Sequence, residues 1–422
     1  MEKFIAALDL GTSEIRGVLG RKDANGTVSV LAVKTVRSEG ITRGLIINLD
    51  TVARAVREIG LSLEKATGKK IEKFFVGSGG SMIYARENSS YKRMNQKGEF
   101  SDEMIAELRR ENESIVLDYE AEIIDVKNQG FVVDDEFEIV DPVGVHGSKI
   151  EGHYVVLGIK RNDRETIRKC MEKAGYELAG IILTPLAVAD SLLSKDEKEL
   201  GAVSVDFGAG KTSVVVYQSG KLKRIAVLPF GGNVISKDLA AGCNIVLDKA
   251  EKAKIKHGSA VAESQSEDDR ITIPATPGWD AKELSFKTMA YIIQSRVEEI
   301  MANVLYQIER SGAYEKLGAG IVLSGGGAQL KDLRQLVKLK TGLDVRTGTA
   351  VDLHPDLDEN TCAGINGILE EANEDCVKKE EFKTLEHKKV KQKKQKVERT
   401  GNLFGNILKT VDNFFDDEDK SM

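Results

Sequence analysis

Cysteine is scarce in this chain. The four present, Cys170, Cys243, Cys362 and Cys376, lie too far apart for any C-x-x-C pair. Neither a zinc site nor a disulfide framework is indicated, and reduced cytoplasmic thiols are expected. No apolar run approaches the roughly 18 residues that a membrane span requires. An excess of positive charge is missing as well: the formal net charge is −6, which disfavours nucleic acid as a partner of the whole chain. Met1-Glu2-Lys3-Phe4 runs straight into a strand pattern, so no signal peptide is expected. What remains is 422 residues, 41% hydrophobic and 30% charged, which suits a soluble protein with two or more cores.

The most informative stretch is 203–217, V-S-V-D-F-G-A-G-K-T-S-V-V-V-Y. A short apolar run ends in Asp206. Gly208, Ala209 and Gly210 follow, then Lys211 and Thr212, then a second β-branched run. This reads as strand, glycine turn, strand. Glycines bare the backbone N–H groups enough for an anion to approach. Lys211 can add a charge, and Asp206 is placed to face the water shell of a magnesium ion on that anion. A second copy occupies 5–19, I-A-A-L-D-L-G-T-S-E-I-R-G-V-L. There Asp9 aligns with Asp206 and Gly11 with Gly208, while Thr12 and Ser13 fill the turn. Two copies almost half a chain apart suggest a duplicated half.

Between and beyond the copies the pattern is largely α/β. Helices are expected at 51–65, 102–113 (Ser101 as N-cap), 164–174, 186–193 behind Pro185, 234–241, 249–257, 286–310, 330–339 and 360–369. Strands are expected at 31–36, 74–77, 181–183 and 321–324. Residues 81–160 change character, with dense charge and short alternating runs at 122–126, 130–133 and 154–158; a small α+β insertion is expected. Residues 258–283 read as an irregular, polar excursion that holds the only tryptophan, Trp279. Gly325, Gly326 and Gly327 close the last buried strand and offer a backbone surface on which a ring or ribose can lie. The compact part is expected to end near Asn373.

The tail is different. Between 388 and 399 there are seven basic residues against one acid, which reads as a flexible, self-repelling linker with some contact to anionic lipid. In 401–415, Leu403, Phe404, Ile407, Leu408, Val411, Phe414 and Phe415 fall on one helical face. An interfacial membrane helix fits best. Partial immersion and the acidic run 416–419 imply weak binding by one copy, so stable attachment is expected to need several copies together.

Taken in order, D-L-G-T-S from Asp9, L-T-P-L-A-V-A from Leu183, D-F-G-A-G-K-T from Asp206, S-G-G-G from Ser324 and C-A-G-I-N-G from Cys362 resemble the phosphate loops, connecting helices and adenosine loop of the actin/Hsp70/sugar-kinase superfamily. Within it the chain is most similar to the FtsA family of bacterial cell division, over roughly 1–370. The segments G-N-V-I-S-K-D-L-A from Gly232 and K-I-K-H-G from Lys254, and the insertion, carry that closer likeness. The resemblance implies an actin-like, two-lobed ATPase fold with duplicated halves. Residues 1–80 and 161–200 would form the first lobe, 81–160 the inserted subdomain and 201–373 the second lobe, with 226–319 its smaller part. Beyond them would come the linker 374–400, the amphipathic helix 401–415 and the acidic end 416–422.

The resemblance further implies ATP in a cleft. Thr12, Ser13, Gly208, Ala209, Gly210 and Lys211 would face its phosphates. Asp9 and Asp206 would hold hydrated Mg²⁺. Gly325, Gly326 and Gly327 would flank the adenosine, with Glu251 and Lys254 on its other side. It implies a cytoskeletal adaptor on the cytoplasmic face of the membrane at the division site, self-associating into filaments, tethering the tubulin-like FtsZ through its C-terminal peptide and recruiting later division proteins. Arg296, on the helix expected at 286–310, is the residue carried over for the FtsZ contact. Two departures stand out. Thr184 sits where active relatives tend to place Glu or Gln to orient the attacking water, so hydrolysis is expected to be slow or absent. Glu14 replaces a residue that is basic in many relatives. The alternatives are a pilus-assembly actin homologue, which the insertion and tail disfavour, and a small-molecule kinase, for which no catalytic aspartate is marked.

Overall fold

The computed structural model describes residues 2–80, 82–274, 281–348 and 362–378. The apolar residues from Leu403 to Phe415 that were expected to face a membrane, nearly all of the charged linker and Trp279 lie outside the described residues.

The chain opens with an antiparallel meander, β1 (Lys3–Leu10), β2 (Glu14–Lys22) and β3 (Val28–Arg37). Side chains alternate across a strand, and β1 is apolar on both faces. Ile5 and Ala7 enter one core, Ala6 and Leu8 another, so this sheet is covered on both sides. A two-residue pair, β4 (Ile41–Thr42) and β5 (Leu45–Ile46), leads into α1 (Leu49–Thr67). Asn48 caps that helix by accepting from the Thr51 N–H, and Gly68 ends it at φ 70°. Strand β6 (Lys73–Ser78) then runs parallel to β1.

The region expected as short alternating runs forms long strands instead: β7 (Ile83–Glu99), β8 (Ala121–Val133) and β10 (His146–Lys160), with the brief β9 (Phe137–Ile139), in the order β7-β10-β8-β9. The runs 122–126 and 130–133 belong to one strand. Register shifts between His153 and Tyr154, and between Leu157 and Gly158, break the alternation that would have betrayed it. Helix α2 (Asp102–Glu113) covers one face, and Phe100, Leu108, Val126 and Tyr154 fill this subdomain's own core. Ser101 caps α2, as its sequence implied.

Helix α3 (Arg161–Ala174) ends at Gly175, φ 90°, and β11 (Glu177–Leu183) adds to the first sheet beside β6. Helix α4 (Thr184–Leu192) follows with Pro185 in its first turn. A six-residue α5 (Lys195–Leu200) was not anticipated. Its S-x-x-E signal is present: Ser194 and Glu197 form a reciprocal capping box.

The second half repeats the plan. Strands β12 (Ala202–Phe207), β13 (Thr212–Gln218) and β14 (Lys221–Leu228) form the meander, followed by α6 (Gly232–Gly242) and α7 (Leu247–His257). The polar excursion contains a hairpin, β15 (Arg270–Ile273) with β16 (Lys282–Ser285), so it is more regular than its composition suggests. Then come α8 (Phe286–Glu309), β17 (Gly320–Ser324), α9 (Leu333–Thr341), β18 (Val345–Thr347) and α10 (Ala363–Glu371). The two large sheets have matching orders, β3-β2-β1-β6-β11 and β14-β13-β12-β17-β18. This equivalence is the structural form of the duplicated hairpin. Helices α4 and α10 lie between the sheets, in one core with Ile5 and Val18 of the first and Ala202 and Val215 of the second.

The compact fold extends past Asn373. Cys376 is fully buried, its N–H donates to the Phe4 carbonyl, and Val377 bridges Ile71. Glu374 pairs with Lys73. Acidic neighbours disguised this short strap as linker, but Cys376 belongs to the core that contains Ala6 and Val76.

Candidate nucleotide site in the cleft

The site grows from the equivalence of the two sheets. Asp9 ends β1, opposite Arg16 on β2 and beside Gly77 on β6. Asp206 ends β12, opposite Ser213 on β13 and beside Ser324 on β17. Each carboxylate therefore stands at the carboxyl end of adjacent parallel strands, where α/β sheets habitually bind ligands. A cavity of about 830 Å³ lies there, within the usual range for small-molecule sites. Its lining includes Asp9, Thr12, Ser13, Asp206, Gly208, Ala209, Gly210, Lys211, Glu251, Lys254, Gly325, Gly326 and Gly327. The fold thus brings together every residue singled out for phosphate, metal and adenosine.

The turns are built to expose backbone. The Gly208 N–H donates to the Lys211 carbonyl at 3.0 Å, closing the second hairpin. The first residues of α6 brace it from outside: the Gly232 N–H donates to the Gly208 carbonyl (2.9 Å) and the Asn233 N–H to the Ala209 carbonyl (2.8 Å). Gly231 allows that approach, because a Cβ there would lie 2.5 Å from the Gly208 carbonyl oxygen. The N–H groups of Ala209, Gly210 and Thr12 take no partner among the described residues. Uncommitted amides at a glycine turn are an anion cradle. Gly325, at φ 82°, presses against the Asp206 carboxylate and the Phe207 carbonyl, where a Cβ would come within 2.6 Å and 2.7 Å.

Lys211 crosses the cleft. Its ammonium rests on Gly79, where a Cβ would be only 1.8 Å away, and its stem passes Gly44. Burial pushes the Asp9 and Asp206 carboxyls above the usual carboxylate range, against the pull of Lys211 and Arg16. Asp9 adds to the upward push on Asp206. Burial pushes the Lys211 ammonium down, opposed by Asp206 and Asp9. Two carboxyls and one ammonium, all partly buried, thus share the floor.

Two wall residues are committed to each other. Lys254 donates to the Gly232 carbonyl (2.9 Å), Ser236 Oγ (2.8 Å) and Glu251 Oε2 (2.8 Å). Those use all three ammonium donors, so Lys254 braces α6 against α7. At the far end His257 stacks on Phe286, centroids 4.9 Å apart, and both face the cavity. Sequence reading passed over Arg16, Gly79, His257 and Phe286. Only Arg16, two residues from Glu14, carried a local clue: the two form an ion pair at 2.5 Å that compensates the unexpected acid. Thr184, buried at the start of α4, lines the cavity too.

Arg296 lies elsewhere. On α8 it pairs with Asp238 of α6 (2.5 and 3.1 Å) and with Glu299, so its charge is compensated within the fold. Among the described residues no group of three or more His, Cys, Asp or Glu side chains is arranged to hold a metal ion. Asp9 and Asp206 both line the cavity, and two carboxylates there would suit the water shell of a Mg²⁺ ion. No helix among the described residues is long and apolar enough to cross a membrane.

Two family models match: "Cell division protein FtsA" over residues 203–367, and "SHS2 domain inserted in FTSA" over residues 80–157. The chain belongs to the FtsA family. Curated FtsA proteins of Neisseria meningitidis, Bacillus subtilis and Escherichia coli K12 are 28%, 29% and 25% identical to it. The matches span 83%, 80% and 83% of this chain and 85%, 76% and 85% of theirs. Among solved structures, a PilM-PilN type IV pilus biogenesis complex aligns with TM-score 0.61 and 16% identity, over 86% of this chain and 97% of that one. MreB5 of Spiroplasma citri bound to ADP aligns with TM-score 0.53 and 14% identity, over 86% and 94%. At such identities the likeness establishes the fold, and the fold is actin-like, with duplicated halves and an inserted subdomain.

Proposed function

We propose that this FtsA-family protein is an ATP-binding adaptor of bacterial cell division. It polymerises on the cytoplasmic face of the membrane at the division site, tethers FtsZ there and recruits later division proteins. The observation that carries the nucleotide reading is the meeting of two equivalent hairpins. They supply uncommitted amides and a carboxylate from each half to one cavity. Thr12, Ser13, Gly208, Ala209, Gly210 and Lys211 hold the phosphates, and Asp9 and Asp206 hold the water shell of Mg²⁺, which neutralises phosphate charge when bound. The adenosine lies along Gly325, Gly326 and Gly327, with the wall braced by Glu251 and Lys254 opposite. Solved relatives of the fold bound to ADP and AMPPNP support this reading.

Calorimetry with Mg·ATP on the purified chain tests it. Uptake of one nucleotide is expected, and none would end the proposal. Thr184 presents a hydroxyl where a base or an amide would orient water, so steady-state turnover stays below about one per second, slower than ordinary enzymes.

Membrane attachment is assigned to Leu403, Phe404, Ile407, Leu408, Val411, Phe414 and Phe415, with avidity from self-association. Phe404→Asp and deletion of 401–422 should each abolish flotation with liposomes; flotation of both like the parent would refute the assignment. The contact with the FtsZ C-terminal peptide is placed on the α8 face around Arg296. Because Arg296 is held by Asp238 and Glu299, a docking peptide must outcompete internal partners. Arg296→Glu should weaken co-pelleting with FtsZ, and unchanged pelleting would move the contact off α8.

A further inference from the structure

We infer that Lys211 is a built-in cation that takes over part of the neutralisation a divalent ion supplies in this cleft, so that nucleoside triphosphate binds with little dependence on Mg²⁺. The inference rests on the nucleotide reading above.

Its basis is where the ammonium sits. Lys211 belongs to the second half, yet its Nζ lies over Gly79 and its stem against Gly44, both of the first half. It reaches that place because Gly79 carries no side chain: a Cβ there would be 1.8 Å from Nζ, whereas one at Gly44 would only make a tight contact at 3.3 Å. Among the described residues Lys211 makes no ion pair within 4.0 Å and no side-chain hydrogen bond. The ammonium therefore keeps its three donors for whatever enters the cleft. Its field falls on both strand-end aspartates, from Asp9 on one sheet and from Asp206 on the other. Arg16, the other cation acting on this pair, is tied to Glu14.

Charges a few ångströms apart in a partly desolvated cleft interact far more strongly than in water. An ammonium at the floor attracts triphosphate oxygens and repels a dication held by the same two aspartates. Lysine and metal thus share one task. Removing one should raise the dependence on the other, a coupling that a double-mutant-style cycle isolates.

The experiment measures the dissociation constant of a fluorescent ATP analogue for the full chain, in Mg²⁺ and in EDTA. Wild type should lose less than about tenfold in affinity on metal removal, and Lys211→Met should lose at least about tenfold more than wild type does, a factor that corresponds to a coupling of about 1.4 kcal/mol. Gly79→Ala keeps the charge but evicts the ammonium from its seat. Apart from Lys211 itself, whose Cε would lie 3.1 Å away, its new Cβ meets nothing closer than Pro185 Cδ at 3.5 Å, so the backbone tolerates it, and it should shift metal dependence in the same direction. Equal metal dependence in wild type and Lys211→Met overturns the inference while leaving nucleotide binding intact. So does an equal loss of affinity with and without metal, which would make Lys211 a simple phosphate contact. A wild type that takes up no nucleotide in either buffer removes the nucleotide reading itself, and this inference with it.

Discussion

Gly367→Ala sets two effects of opposite sign against each other. Position 367 lies inside α10, where alanine in place of glycine ordinarily gains about 1 kcal/mol from helix propensity. The packing says otherwise. A Cβ at 367 would sit 2.0 Å from the Ala187 carbonyl oxygen, 2.5 Å from its carbonyl carbon and 2.8 Å from its Cα. All three are backbone atoms of α4, so no rotamer change relieves the clash. Contact near 3.5 Å demands that the helices separate by more than an ångström. They lie in the core that joins both sheets, where overpacking costs about 1–3 kcal/mol or more. With all contacts to rigid backbone, the cost falls at the upper end of that range, and the net expectation is a loss of up to about 2 kcal/mol, read as a lower urea midpoint for the full chain by circular dichroism. Gly364→Ala, on the same helix, is the control. Its nearest neighbours would be Thr184 Cγ2 at 3.2 Å and Asp9 Oδ2 at 3.6 Å, so it should hold stability or gain. A midpoint for Gly367→Ala equal to or above the parent's would refute the α4–α10 contact.

Truncation after residue 378 should leave thermal unfolding unchanged, whereas truncation after 373 should lower it, because the second removes buried Cys376 and its hydrogen bond to Phe4; equal melting would show that the strap contributes nothing. Burial pushes the Cys170 and Cys376 thiols up to about 11. The folded state thus retains protons that the unfolded chain releases, and stability is unaffected below the ordinary thiol range and falls as pH rises from about 9 toward about 11. Urea midpoints across that window should drop, and less so in a variant with both cysteines changed to alanine. Asp134 accepts from the Ser148 N–H and hydroxyl and the Lys149 N–H, all at 2.8 Å, which lowers its carboxyl to about 2. This depressed group stabilises the fold fully above the ordinary carboxylate value near 4 and progressively less as pH falls toward 2. Asp134→Ala should therefore unfold earlier in urea at pH 6, with the gap narrowing below pH 4; a gap independent of pH would assign the effect to something other than the carboxylate.

Much was determined by local sequence alone. Strand, glycine turn and strand around Asp9 and Asp206 need only β-branched runs and glycines, and their repetition was enough to anticipate two equivalent sheets. Caps and stops were equally readable at Ser101, Gly175 and Pro185, because a helix end is satisfied by residues within a turn of it. Strand β7 was not readable. It is polar, lies at a sheet edge and is held by backbone pairing to β10, and backbone hydrogen bonds leave no mark on side-chain periodicity. The strap at Cys376 was hidden for a related reason: one buried residue among acids makes no pattern. Tertiary structure alone decided that Lys254 is occupied by Glu251, Ser236 and Gly232, that Arg296 is held by Asp238, and that Lys211 finds its seat on Gly79. Sequence states which side chains carry charge. Which of those charges are already compensated depends on partners tens or hundreds of residues away, and only packing brings them within reach.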